Sequence, residues 1–354
     1  MKLWRLVAGV LGLALLGVGV APAWACACGG YLPDAESRAR VFGENALVRY
    51  DGGQEEIVLS MSVQGQSKKA AWIMPVPAAA KVELGDNDLF SRLQSITRPK
   101  IVTRKTYWPF RDLGIMGSRG DTGGAPMAGA GVDVRQQMRL GPFQVARLGG
   151  ASGTAVTDWL RTNGYAAPAS LAANLTPYLT EKWEIVAVKL APKEDGTPMT
   201  GSTPPLRLTF ASPQIVYPMR LSKGATTAQT VTVYVAAAYR VDASTLPDPD
   251  VKPELLYAGR LANEDAPQLA APTTFLTAYS VTYREPGRIT ADFGFTQAAN
   301  NDEFERVKYV TENEGLWSTI AVLLGGPLLI GVGAALIGRR LVKRVVHRGP
   351  GEEV

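Results

Sequence analysis

The sequence predicts a mainly β fold of α+β type: an antiparallel, β-rich exported domain with a few short helices, followed by one C-terminal transmembrane helix. Three observations lead there. Apolar and polar residues alternate through much of the middle of the chain. Helical periodicity is confined to three short stretches. Uncharged apolar runs stand near both ends.

The first run, Leu6–Val20, follows Lys2 and Arg5 and precedes the small-residue triplets Ala21-Pro22-Ala23, Ala23-Trp24-Ala25 and Ala25-Cys26-Ala27. A bilayer takes about 20 apolar residues to cross. A shorter run with a basic start and small residues at its end describes a signal peptide, assigned to residues 1–25. An uncleaved N-terminal anchor is the other reading.

Strands come next. In Glu55–Gln64, Ile57, Leu59, Met61 and Val63 alternate with more polar neighbours after the turn residues Asp51-Gly52-Gly53, which marks a half-buried strand entered from a hairpin. Leu206, Leu208 and Phe210 alternate likewise, as do Val231, Val233, Val235 and Tyr239, and Phe275, Tyr279, Val281 and Tyr283. Trp183–Leu190 is more continuously apolar and reads as an inner strand. Met74-Pro75-Val76-Pro77 should leave the strand Ala70–Ile73 as an extended segment covering a sheet edge, because Pro75 and Pro77 have no donor for a central ladder.

Helices are predicted at Leu89, Phe90, Leu93 and Ile96 behind an Asp86 cap, and at Val156, Trp159 and Leu160 from Ser152 or Thr154 to a stop at Gly164. Leu171, Leu175, Tyr178 and Leu179 also repeat helically, with Pro177 expected to break or kink the stretch. The Gly-rich segment 111–131 reads as a loop and the best internal boundary of an ectodomain spanning residues 26–315, and Asp242–Pro253 as a surface loop.

Leu316–Ile337 carries no charge and is long enough to span, so 316–338 is assigned as a transmembrane helix with Pro327 as its expected kink. Arg339, Arg340, Lys343, Arg344 and Arg348 follow it, which places the tail 339–354 in the cytoplasm and the domain outside. Small residues four apart, Gly331 with Ala335 and Ala334 with Gly338, would permit self-association through this helix.

Charge narrows the functional classes. The chain carries 37 basic and 32 acidic residues, but leader and tail hold the excess and the ectodomain balances at 30 of each. A neutral ectodomain has no electrostatic footprint for nucleic acid, and no such partner is expected. The single histidine, His347, lies in the tail, so the ectodomain has no Ser-His-Asp or Cys-His machinery and no histidine metal ligand. The phosphate-loop, dinucleotide, S-x-x-K and G-x-S-x-G patterns are absent too, so no cofactor is expected.

Carboxylate chemistry remains, as in glycoside hydrolysis. The pairs Glu55-Glu56, Glu194-Asp195, Glu264-Asp265 and Asp302-Glu303 sit in polar, turn-rich surroundings and read as solvated surface charge. Cys26 and Cys28, the only two cysteines, are the candidates left for a soft metal, a loop or interchain disulfide, or lipidation at Cys26, although Ala23 is a poor lipidation signal. A simple N-terminal tether is the reading favoured over these.

Several stretches occur in an order that resembles a family. These are Cys28-Gly29-Gly30, Asn45-Ala46-Leu47-Val48, Ala71-Trp72-Ile73-Met74-Pro75-Val76-Pro77, Trp159-Leu160 with Asn163-Gly164-Tyr165, and Trp183-Glu184-Ile185-Val186-Ala187-Val188-Lys189. Together with the C-terminal anchor they resemble the exported bacterial family catalogued as domain of unknown function 2330, over Cys26 to Tyr283. The low cysteine count departs from the family's pattern. The resemblance implies an exported location and brings no activity. It singles out Gly29, Gly30, Trp72, Pro75, Pro77, Trp159, Asn163, Gly164 and Tyr165 as motif residues, whose first reading is structural. The expectation is a single-pass envelope protein, not an enzyme, with an envelope protein or glycan as its partner. A glycan-processing enzyme and a thiol or soft-metal role are the alternatives.

Overall fold

A computed structural model describes residues 29–33, 40–64, 69–106, 136–140, 143–148, 152–165, 167–168, 170–190, 201–225, 227–261, 269 and 275–346. The expected signal peptide, Cys26, Cys28, the expected 111–131 loop and the pairs Glu194-Asp195 and Glu264-Asp265 lie outside the described residues. In chain order the strands are β1 (Gly30–Pro33), β2 (Arg40–Asp51), β3 (Gln54–Gln64), β4 (Ala70–Val76), β5 (Lys81–Leu84), β6 (Lys100–Thr106), β7 (Gln136–Leu140), β8 (Phe143–Leu148), β9 (Glu184–Leu190), β10 (Gly201–Ser202), β11 (Leu206–Ala211), β12 (Ile215–Tyr217), β13 (Gln229–Ala237), β14 (Val241–Thr245), β15 (Glu254–Arg260), β16 (Phe275–Tyr283), β17 (Phe293–Gln297), β18 (Phe304–Glu305) and β19 (Val307–Asn313). The helices are α1 (Leu89–Ile96), α2 (Gly153–Thr162), α3 (Ser170–Thr180), α4 (Leu316–Ile320) and α5 (Gly326–Val346). The expected β-rich, mainly antiparallel class is what the chain adopts; β2–β13 and β6–β19 are the parallel pairs among the described strands.

The chain divides into two compact units, Met1–Arg98 with Gly123–Glu305, and Pro99–Thr122 with Arg306–Val354. In the first, a nine-stranded sheet runs β18-β15-β16-β13-β2-β3-β11-β5, with β10 also on β3, and a five-stranded sheet runs β1-β4-β9-β8-β7. The period-2 pattern divides the large sheet's side chains between two cores. Ala46, Val48, Ile57, Leu59, Met61, Val231, Val233 and Val235 join Trp72, Val186, Val188, Leu160, Leu175 and Tyr178 in the main core. Leu47, Val58, Tyr234 and Ala236 point the other way and pack with Leu89, Phe90 and Leu93 of α1. Gly52 and Gly53 both take positive φ (56° and 98°) between Asp51 and Gln54, the mirror-image turn that suits a two-residue hairpin.

Several local expectations need correction. The strand β4 does not stop at Ile73: Met74, Pro75 and Val76 stay paired with Val186, Ile185 and Glu184 of β9. Described β1 reaches only Ile73, so past that point β4 is locally an edge, where proline is tolerated. Helix α3 continues through Pro177 to Thr180. The cap of α1 is Asp88 rather than Asp86, whose carboxylate instead accepts from the Asp88 N–H at 3.0 Å. Asp242–Thr245 belongs to β14, which leaves only 246–253 as loop. Glu55 is not surface charge: it is fully buried, accepts from the Val216 N–H at 3.0 Å, and burial raises its carboxyl well above the usual range. Pairing at the end of the β2–β3 hairpin holds it there, against the neighbouring Tyr50.

The second unit contains the parallel pair β6–β19, from Lys100↔Val307 to Thr106↔Asn313, and the C-terminal helices. Trp317–Lys343 is one continuous helical stretch of 27 residues, apolar enough to cross a membrane and unburied along its length. Ala321–Gly325 forms a π turn between α4 and α5. Pro327 supplies no N–H and crowds the preceding turn, and the widened turn just before it absorbs that misfit.

Candidate functional site

Helices α2 and α3, whose apolar residues join the main core, end in the same backbone device. Ser152 caps α2 by accepting from the Ala155 N–H at 3.1 Å, and Val156 and Leu160 bury its apolar face. At the other end Gly164 takes φ 74°, its N–H donates to Arg161 O at 2.9 Å, and the Tyr165 N–H donates to Leu160 O at 3.0 Å. That pair of bonds is the Schellman closure, which requires a left-handed residue. The predicted stop at Asn163-Gly164 is therefore observed. In α3 the Lys182 N–H bonds Leu179 O at 3.1 Å and the Trp183 N–H bonds Tyr178 O at 2.9 Å, with Lys182 in the left-handed position at φ 63°.

The end of α2 gathers two lysines. Lys69, just before β4, donates to the main-chain oxygen of Asn163 at 2.9 Å. Lys189, near the end of β9, donates to Asn163 Oδ1, also at 2.9 Å. The Asn163 amide is oriented by its own Nδ2, which donates to Trp159 O at 2.8 Å. Each ammonium also stands over a ring: Lys189 is 4.7 Å from the Trp159 centroid and Lys69 5.3 Å from that of Tyr165. Burial and then the nearby Lys69 charge pull Lys189 below its ordinary 10.5, while burial pushes the Tyr165 phenol up to about 12. Trp159, Asn163, Lys69 and Lys189 are all half-buried, within reach of solvent.

The end of α3 gathers one arginine and two carboxylates. Arg220 donates from Nε to Asp292 at 2.8 Å and from its terminal nitrogens to Glu181 at 2.5 and 2.6 Å. Asp292 also accepts from Tyr178 Oη at 2.5 Å and from the Met219 and Arg220 N–H groups at 2.7 and 3.1 Å. The guanidinium lies 4.0 Å from the Tyr178 ring and 5.6 Å from that of Trp183. The hydrogen bond from Arg220 holds Glu181 below the usual carboxylate range. A cavity of about 230 Å³ adjoins, lined by Glu181, Trp183, Arg220, Asp292, Ser244 and Phe295 among others.

The motif residues fall into two groups. Trp159, Asn163, Gly164 and Tyr165 come together at the α2 end, with Lys189 from the strand motif. Gly29, Gly30, Trp72, Pro75 and Pro77 do not join them. A Cβ on Gly29 would lie 2.1 Å from Ile73 O and 2.9 Å from Trp72 Nε1, so only glycine fits beside the fully buried Trp72. Gly30 pairs with Ile73, Pro75 with Ile185, and Pro77 follows β4 directly. Lys69, Arg220 and Asp292 were not singled out from sequence. Lys189 had a readable signal, as the one cation inside an otherwise apolar inner strand; Lys69, Arg220 and Asp292 carry no local pattern.

A family model described as "Uncharacterized protein conserved in bacteria (DUF2330)" matches residues 22–296. No curated protein is similar at a significant level. Among solved structures, baculovirus P35 aligns over 77% of this chain and 98% of its own at 10% identity, with a TM-score of 0.30, a likeness that carries no argument.

Proposed function

From its place in the DUF2330 family of uncharacterized bacterial proteins, to which this chain belongs, we propose that it is a single-pass envelope protein whose β-rich part faces outward and binds an envelope protein or glycan. The observation that carries this reading is the helix Trp317–Lys343, 27 residues long and unburied, whose C-terminal end bears Arg339, Arg340 and Lys343. A basic flank of that kind is retained on the cytoplasmic side. The preceding domain is then outside, after export by the 1–25 leader. Gly331, Ala335, Ala334 and Gly338 would support close approach of two such helices. The half-exposed cluster at the α2 end is the binding site in this reading.

The enzymatic alternative requires two acids facing a cleft. Glu181 and Asp292 both line the cavity beside Arg220, together with Trp183. Arg220 spans both carboxylates, and Glu181 is held in its ionised form, so it is a poor proton donor. The α3 network thus supports the enzymatic reading less well than it supports a structural tie.

Two measurements test the proposal on the full chain. Protease added to intact spheroplasts should degrade the β-rich part and spare a tag placed after Val354; the reverse pattern would overturn the topology. In detergent micelles the chain should be retained on immobilised envelope polysaccharide or on an envelope protein fraction, and retention on neither would overturn the binding role.

A further inference from the structure

Resting on the binding reading above, we propose that Lys69, Lys189, Trp159 and Asn163 at the C-terminal end of α2 form an oxyanion site that takes a phosphate or carboxylate group of the ligand. Two ammonium groups converge on the two oxygens of one residue, Asn163. The carbonyl end of a helix carries roughly half a negative charge. One lysine already exceeds that, and Lys189 adds a further full charge. Among the described residues the hydrogen-bond and ring partners of Lys189 are a side-chain carbonyl and an indole face, both neutral. An ammonium has three donors, so bonding to Asn163 leaves Lys189 donors for a ligand.

The cluster is held in place by its own contacts. The Schellman closure fixes Asn163, the Asn163 amide is bonded to Trp159 O, and each ammonium lies over a ring. The ammonium positions are therefore set before a ligand arrives, which lowers the cost of binding. Gly164 is exposed, and a Cβ there would come within 2.7 Å of Lys69 Nζ, so a side chain at this position would press on the ammonium. Arg220 makes the contrast: it is also a cation at a helix end, but two carboxylates already occupy its guanidinium. Burial, and then the neighbouring Lys69 charge, lower the pKa of Lys189.

The test uses the full chain in nanodiscs of zwitterionic lipid at constant ionic strength. Inorganic phosphate, glucuronate and glucose are titrated, and the acetylation rates of Lys69 and Lys189 are read by mass spectrometry. Saturable protection of both lysines by phosphate or glucuronate, with none from glucose or from chloride, is the expected result. Phosphate alone would identify a phosphorylated ligand, glucuronate alone a carboxylated one, and both together a general oxyanion site. Lys189→Gln should weaken the protection of Lys69 about tenfold, the loss of one charge-assisted hydrogen bond, while Lys189→Arg keeps most of it and controls for folding. Unchanged labelling with both anions, protection matched by chloride, or undiminished affinity in Lys189→Gln would each overturn the proposal. Retention on envelope material with lysine reactivity unmoved would sink this site alone and leave the binding role standing.

Discussion

Asn163-Gly164-Tyr165 closes α2 and Glu181-Lys182-Trp183 closes α3 with the same pair of backbone bonds, and each helix end draws in cations from distant strands and loops. The difference is in what answers the charge. At α3 the Arg220 guanidinium is sandwiched between Glu181 and Asp292 and lies on Tyr178, so the network ties a helix, a 3-10 turn and the start of β17 into one piece. At α2 the lysines rest on carbonyl oxygens and ring faces. Satisfied charge makes a fastening. Among the described residues Lys189 meets a side-chain carbonyl and an indole face, which answer its charge less fully than a carboxylate would.

The largest effect expected from that contrast is at Asp292. Its side chain is only 10% exposed and serves Arg220, Tyr178 and two main-chain N–H groups. Asp292→Asn leaves a half-buried guanidinium with one carboxylate and should cost about 3 kcal/mol in denaturant unfolding. Lys189→Met at the other end should cost under about 1 kcal/mol or stabilise, because it removes a desolvated cation beside a like charge. Equal losses at the two ends would abolish the distinction between fastening and site.

The left-handed residues sharpen the comparison further. Gly164→Ala should cost about 1–2 kcal/mol, since alanine at positive φ is strained and its Cβ meets Lys69 Nζ. At the matching position of α3 a lysine already bears that strain. Lys182→Gly should therefore raise stability by up to about 1 kcal/mol. A shift of the thermal midpoint in opposite directions for the two variants is the expected reading.

These pairs also explain what could be read in advance. The alternation of Ile57, Leu59, Met61 and Val63 was legible because a strand repeats every two residues and needs no knowledge of its partner. Gly164 announced the end of α2, whereas Lys182 plays the same part without any sequence mark, since only glycine advertises left-handed geometry. Pro75 misled because strand pairing is local: β4 is interior at Trp72 and an edge two residues past Ile73. Glu55 looked solvated beside a turn, and only the arrival of Val216, 161 residues later, buries it. Asp292 and Arg220 are 72 residues apart and share no pattern, so their pairing belongs to the tertiary fold. At the α2 end Trp159, Asn163, Gly164 and Tyr165 are legible as a motif and Lys189 as the lone cation of an apolar strand, whereas Lys69, just before β4, carries no local mark.

The smallest expected effect is a pH signature of opposite sense at the two ends. Glu181 is held below its ordinary 4.5, chiefly by the hydrogen bond from Arg220. An acid with a depressed folded pKa contributes stability that is present above the ordinary value and lost as pH falls through the depressed one. Lys189 is the reverse case, a base pulled below 10.5 first by burial and then by Lys69. Keeping it charged in the fold is a penalty at neutral pH, relieved as pH rises through the depressed value toward 10.5. Acid should therefore weaken the α3 fastening and alkali should ease the α2 cluster. The difference in unfolding free energy between the parent and Glu181→Gln should shrink by roughly 0.3–0.5 kcal/mol on acidification, a small figure because the carboxylate is half exposed and screened. The difference between the parent and Lys189→Met should shift in the parent's favour on the alkaline side. If Lys189→Met shows no alkaline shift, the lysine cluster carries no electrostatic strain, and the α2 end is a second fastening like the first.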